Sequence, residues 1–471
     1  MLRTQRNTKP YPYELAHDFH AEDGTPVSWA PNHPLDWASE ESEKQLLQQA
    51  AVPGASTATA SHMTLSQDEL LLAVAVGSNI VIYSVEGFRL VETLKDSKET
   101  IDVLVFGWSS QPSEYILLSQ SMADGEVQPT IVLWHLDHDG KDTQMVPSPN
   151  VDLLAVSLSG IDTVIESVSS EMPWMQKESV RTALATGLTD LLSNTIRKYL
   201  LLERKVIYGT FPSQCFSSLR ANVSQRLFCY LLNDKTTIEV FDMKSKKVVH
   251  RLVGHTENIT SAVPSPNMKL LASVSWDGTV RIWNLENGEC MNVLGSFEQQ
   301  LWAGDWSLDS KHFAFTGGAG QVFGYRIADG TRVNEVFDIY PEESGSSRSI
   351  RWSPNGQKIA MCQEGSKLMI WSPWTNEMKQ LWKWKFPRGI NADFEPDLGD
   401  WIDGGSKLIF NYHVYKSYVE VFDLVQNRKW LFSGGRNIKS ADQAAQHYCF
   451  STKRQMMIIL CEDGVVRAWR L

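Results

Sequence analysis

The chain has 471 residues, 42% hydrophobic and 10% aromatic, with 17 tryptophans and a formal net charge of −11. That charge excludes a general phosphate-tracking surface for nucleic acid or anionic lipid, although a local basic patch survives such an average. No apolar run approaches the ~18 residues of a membrane-crossing helix, and the stretch Met1 to Pro10 lacks the apolar core of a secretory leader.

The expected protein is therefore intracellular, cytoplasmic or nuclear, with no membrane insertion. Its six cysteines (Cys215, Cys229, Cys290, Cys362, Cys449 and Cys461) are dispersed, with no C-x-x-C pair. They read as small apolar groups within strands rather than as metal ligands or disulfides. No cofactor motif is present: Gly317-Gly318-Ala319-Gly320 reads as a turn between strands, not a phosphate loop.

Residues 1–58 are atypical of the rest. Tyr13 to His20 and Val27 to Trp29 read as short strands, and 38–58 as a short helix followed by a flexible loop. Beyond them one pattern recurs. Thr279-Val280-Arg281-Ile282-Trp283-Asn284-Leu285 has degenerate copies whose aromatic residues are Tyr83, Trp134, Phe241, Trp283, Tyr325, Trp371, Phe422 and Trp469. The intervals are 51, 107, 42, 42, 46, 51 and 47 residues. A period in the forties with one small sheet per repeat predicts an all-β chain, a closed β-propeller. Counting the aromatic-tagged strands gives eight four-stranded blades, with seven as the alternative.

The first blade is expected over about 59–95 and the second from Ile101. Blades three to seven follow near 214–255, 259–296, 301–338, 348–386 and 391–433. Ser66 to Glu69, Pro264 to Asn267 and Ser353 to Gly356 read as turns between first and second strands. The long interval hides an insertion in blade two, at about 145–204. Leu154, Leu158, Ile161, Ile165 and Val168 form one helical stripe; Val180, Leu184, Leu188 and Leu191 form a second after Pro173. The insertion reads as an α-helical hairpin, after which Lys205 to Phe211 supplies a delayed fourth strand. The eighth blade, from Gln446, stops after its third strand. A ring of sheets cannot leave that edge open, so residues 1–58 should close it, with 11–20 as the closing strand and 59–471 as the propeller.

Gly254-His255, a gap of about 20 residues, Asp277-Gly278 and then Trp283 resembles the WD-repeat family at one blade, where Trp283-Asn284 replaces the usual Trp-Asp pair. The whole set is also similar to a group of fungal WD-repeat proteins. The resemblance implies a propeller that holds partners rather than one that does chemistry. It also implies that His255, Ser273 and Asp277 form a buried hydrogen-bond chain ending on the Trp283 indole. Read alone, His255, Ser273 (or Ser275) and Asp277 could be a serine-hydrolase set, but no nucleophile elbow or oxyanion hole accompanies them.

Other constellations have bland alternatives. His17-x-x-His20 and His135 to Asp139 suggest metal, yet residues three apart on a strand point to opposite faces. Trp382 to Arg388 alternates aromatic and basic residues, as would an outer strand with one wet face. The Phe-Arg-Arg-Gly run of the family's phosphoinositide-binding members is absent. The resemblance implies a partner-docking face near Trp276, Trp302, Arg348, Asn391 and Glu462. The function read from the sequence is a non-catalytic scaffold or adaptor, a monomer within a complex of other proteins. The alternative is a propeller enzyme with its active site at the mouth of the central channel.

Overall fold

The computed structural model describes residues 28–29, 46–53, 60–95, 100–107, 114–121, 129–142, 206–208, 227–243, 245, 247–333, 337–338, 347–363, 367–383, 396–413, 417–432, 445–461 and 464–470. They form eight sheets. In chain order these are blade 1 (60–94), blade 2 (101–137 with 206–208), blade 3 (227–252) and blade 4 (259–294). Blade 5 (301–338), blade 6 (347–383), blade 7 (396–432) and blade 8 (445–470) complete the set. First strands of neighbouring blades pack on one another at blades 1–2, 4–5, 5–6 and 6–7, and again between 8 and 1, which closes the ring. The only helical turns among the described residues are the 3-10 turns Glu86–Phe88 and Asp403–Gly405.

The repeat's aromatic residue makes the ring cohere. It stands near the end of each third strand, where it projects between two sheets. All eight are buried, from Trp371 at 0% exposed to Tyr325 at 7%. Apolar clusters accordingly lie between blades rather than at one centre: Trp134 packs between blades 1 and 2, Trp283 between 3 and 4, Trp371 between 5 and 6, and Trp469 between 7 and 8. Face-to-face packing buries both sides of each inner strand, so Leu71–Val76 and Met456–Cys461 are buried at every residue.

A local device repeats at four first-to-second-strand turns. Ser66, Ser265, Ser307 and Ser353 each donate through Oγ to the Asx side chain two residues on, at 2.6, 2.8, 2.5 and 2.8 Å. The same Oγ accepts an N–H at the start of the second strand, from Leu71, Leu270, His312 and Lys358. The residue after the Asx takes positive φ, between 56° and 69°. A Ser-x-Asp/Asn triplet thus folds the turn by itself. The Ser307 copy was not among the turns read from the sequence.

Blade 8 lacks the triplet and borrows a carboxylate instead. Glu69, in the blade 1 turn, accepts from Ser451 Oγ at 2.6 Å and from the N–H groups of Thr452 and Lys453. Arg454 donates back to the Glu69 carbonyl at 2.7 Å. These bonds fasten the last blade to the first. Glu69→Ala should cost about 1–2 kcal/mol by removing the acceptor of three donors; urea denaturation of the two proteins measures it.

One expectation changes. The strand that pairs with the last third strand is Leu46–Ala51, in register Leu46↔Trp469 to Ala51↔Val465. That place was expected for 11–20, which lies outside the described residues, while part of 38–58 was expected to be helix. Leu-Leu-Gln-Gln-Ala-Ala has helical propensity, but an open sheet edge offers it a full hydrogen-bond ladder, and context wins. The short strand expected at Val27 to Trp29 is present as Ser28–Trp29, added parallel to the outer strand of blade 7 at Arg428 and Lys429. Blade 3, expected near 214–255, shows three strands among the described residues, and 214–226 lie outside them.

The helical hairpin expected at 145–204 also lies outside the described residues. Its two flanks are placed: Thr130–Asp137 is the third strand of blade 2, and Val206–Tyr208 pairs with it antiparallel as the fourth. The chain therefore leaves blade 2 and returns to it. No helix of the described residues is long and apolar enough to cross a membrane.

Candidate docking face

Blade 4 carries the fullest version of the repeat, and its chemistry starts from one turn. Asp277-Gly278 joins Leu270–Ser275 to Val280–Asn284, with Gly278 at φ +76°. A Cβ there would lie 2.1 Å from the Phe297 carbonyl oxygen, so the position admits only glycine. The turn aims Asp277 at His255, whose Nδ1 lies 2.8 Å from Oδ2. His255 Nε2 lies 2.7 Å from Ser273 Oγ, and the Trp283 indole N–H donates to that same oxygen at 2.8 Å. Thr279 donates twice to Asp277 Oδ1, from N at 2.9 Å and from Oγ1 at 2.6 Å.

The proton arrangement follows from the donor inventory together with the charge state of His255. The Trp283 N–H can only donate, and with the imidazole neutral Ser273 gives its hydroxyl proton to His255 Nε2 while His255 donates from Nδ1 to Asp277. The environment of the imidazole favours that neutral form. Burial pushes its pKa below the ordinary value, and outweighs the pull of Asp277 in the other direction. Burial opposes ionisation of Asp277 as well, but hydrogen bonds from Thr279, His255 and the Thr256 N–H outweigh it and keep the carboxyl below its usual range.

As chemistry this chain is closed. Ser273 is 0% exposed and its oxygen is already an acceptor, so it is no nucleophile. Ser275, the other candidate, donates to the Glu257 carbonyl at 3.0 Å and accepts from the Asp277 N–H. Blade 2 repeats half the device: Trp134 donates to Ser119 Oγ at 2.8 Å. That pair escaped the sequence reading because Ser119 precedes its tryptophan by 15 residues, against 10 from Ser273 to Trp283.

Above the network the same turn presents Trp276. Its ring meets Trp302, from the first strand of blade 5, edge-on at 5.4 Å between centroids. The Arg348 guanidinium, from the first strand of blade 6, lies 4.4 Å over the Trp302 ring. Three residues far apart in sequence thus form one stack across three blades, each half-buried. The Trp276 indole N–H is shielded from solvent with no acceptor among the described residues. Asn391 and Glu462, the other two expected at this face, lie outside the described residues.

At the other end of the first strands, Asp305, Arg351 and Asp400 occupy one register, each just before a tryptophan. Asp305 Oδ2 accepts the Trp352 N–H at 2.6 Å. Burial pushes the Asp305 carboxyl up to about 6, against the pull of Arg351. These groups brace blade against blade. The Asp137, His138 and Asp139 ligand atoms fall within 4.8 Å of one another on an exposed turn. Asp137 Oδ1 there already accepts the N–H groups of Asp139 and Lys141.

A family model described as WD domain, G-beta repeat, matches residues 246–284, the span that holds His255, Ser273, Asp277 and Trp283. The chain is 30% identical over 148 residues to pre-mRNA-processing factor 19 of Bos taurus, which covers 29% of this chain and 27% of that protein. It is 26% identical over 187 residues to striatin of Homo sapiens, covering 40% of this chain and 22% of striatin. Matches thus span about a quarter of the length of these relatives. The crystal structure of the computationally designed Ika8 protein superposes with a TM-score of 0.55 at 12% identity, covering 91% of this chain and 100% of that one, a likeness of fold alone. Residues 246–284 thus carry a WD repeat, with its hydrogen-bond chain in blade 4, and the eight sheets of the described residues are arranged as the blades of one β-propeller ring.

Proposed function

We propose that the chain is a non-catalytic scaffold or adaptor, and that a partner protein docks on the face carrying Trp276, Trp302 and Arg348. The observation that supports this reading is the aromatic–cation stack across blades 4, 5 and 6. Tryptophan and arginine dominate interface energetics because they bury much apolar area at low entropic cost. A stack that is pre-formed loses little further freedom on binding. Asn391 and Glu462 extend this face in the proposal, and the insertion at 145–204 is a helical hairpin that makes a separate contact. The five described cysteines are free thiols, four of them buried, which suits a reducing compartment.

A propeller enzyme would instead need acids, histidines or a metal converging at the channel mouth. The expected result is therefore a loss of binding without loss of fold. Trp302→Ala combined with Arg348→Ala should weaken capture of the partner, identified by mass spectrometry with the unaltered protein, by about tenfold or more. Stability should change by no more than about 1 kcal/mol, since both side chains are half-buried. Undiminished capture would move the docking site elsewhere; a lost hydrolytic activity would favour the enzyme.

A further inference from the structure

At the joint between blades 8 and 1, the imidazoles of His62 and His447 stand with ring centroids 3.9 Å apart and planes at 49°. Each is the third residue of its first strand, Ala60–Leu65 and Ala445–Ser451. His62 is 4% exposed, and its Nδ1 accepts the Leu104 N–H from the first strand of blade 2 at 3.1 Å. That bond requires a lone pair on Nδ1, which only the neutral ring has. Protonation would leave the buried Leu104 N–H without an acceptor and place a charge between blades. A second charge on His447 would stand beside the first, at contact distance.

Elsewhere the fold does the same work with a group that does not titrate. Between blades 6 and 7, Ser349 holds the matching register, and its Oγ accepts the Leu398 N–H at 3.1 Å. Blade 1 is thus tied to blade 2 by one histidine and meets blade 8 through a histidine pair. The strands packed against the pair bring Asp102, Cys461, Glu420 and Asp423, and the strand of His447 itself brings Tyr448 and Cys449; the second strand of blade 1, Leu71–Val76, brings none. Burial raises the Asp102 pKa, in spite of the hydrogen bond from Gln120, so this carboxylate is a reluctant counter-charge.

We propose that blade 1 is an acid-released unit of the ring: protonation of His62 and His447 loosens it from blades 2 and 8. The sign follows from the neutral ring that the native bond demands. Stability of these joints is full above the ordinary imidazole value of about 6.5 and falls as pH drops below it. Opening would free the edges of the first strands, so the same scaffold would present a different surface in an acidic compartment. The docking face on blades 4 to 6 plays no part in the argument.

Hydrogen exchange of the full chain at about pH 7.5 and about pH 5.5, corrected for intrinsic rates, tests this. Protection of Ala60–Leu65, Ile101–Gly107 and Ala445–Ser451 should fall about tenfold relative to Ile359–Gln363 in blade 6. In His62→Asn with His447→Gln, where Asn keeps an acceptor near Nδ1 and neither side chain titrates, protection should be the same at both pH values. Unchanged protection in the unaltered protein overturns the proposal, as does an equal acid loss in the double variant. Should that variant not fold, the map of the unaltered protein decides. Loss confined to the three strands supports release of blade 1, and loss spread over all blades overturns it.

Discussion

Deletion of residues 1–52 should open the ring, whereas deletion of 1–26 should leave its closure in place. The longer deletion removes Leu46–Ala51 from the free edge of Val465–Arg470, together with the Val52 N–H that donates to the Gly464 carbonyl at 2.8 Å. It also removes Val52 itself, buried beside Met63, Tyr83 and Phe88 in the cluster that joins blades 8 and 1. The Tyr83 hydroxyl loses the Ala51 carbonyl, its acceptor at 3.0 Å. With each ladder bond worth about 1 kcal/mol net and one side chain uncovered, the loss is on the order of 5 kcal/mol. An exposed third strand is also a template for another chain. Light scattering and the melting temperature read the result. The expected outcome is aggregation and a fall on the order of 5–10 °C for the longer deletion, and neither for the shorter. Equal behaviour of the two deletions would show that Leu46–Ala51 does not close the ring.

The second large effect lies in blade 4. Asp277→Ala would leave the His255 Nδ1 proton, the Thr279 pair of donors and the Thr256 N–H without their acceptor at once. A loss of about 2–3 kcal/mol is expected, and about as much for His255→Ala, which strands Ser273 and Asp277. The pH dependence has a definite sign. The folded His255 titrates below its ordinary value, so its contribution is complete above about 6.5 and is lost as pH falls through the folded value. The gap between the unaltered protein and His255→Ala should therefore narrow on acidification. Asp277, also depressed, adds a loss at still lower pH. A gap that is constant or widens toward acid would mean that the native imidazole is charged and the proton order is different. Both comparisons cancel any acid effect at His62, because that residue is present in each protein.

The repeat was legible in the sequence because it is local. A β-rich run with one aromatic near its end, a tight turn such as Asp277-Gly278 before it, and a Ser-x-Asx triplet further upstream each fold by contacts within a few residues. Their spacing alone implied eight blades, and the eight aromatics are the residues the structure buries between sheets. The same locality placed the fourth strand of blade 2 at Val206–Tyr208, close to where Lys205 to Phe211 had been expected, in spite of the long intervening stretch.

What the sequence could not choose was decided by competition over long range. Several N-terminal segments could have met the open edge of blade 8, and the local bias of Leu46 to Ala51 is toward helix. Only the ring supplies the edge that makes it a strand, and Val52 the pocket that fixes its register. Trp276, Trp302 and Arg348 likewise become neighbours only because successive blades turn about one axis. Their spacing, 26 and 46 residues, carries no signal of contact. The pairing of His62 with His447 is the extreme case: two residues from opposite ends of the described chain touch because a propeller must join its last sheet to its first.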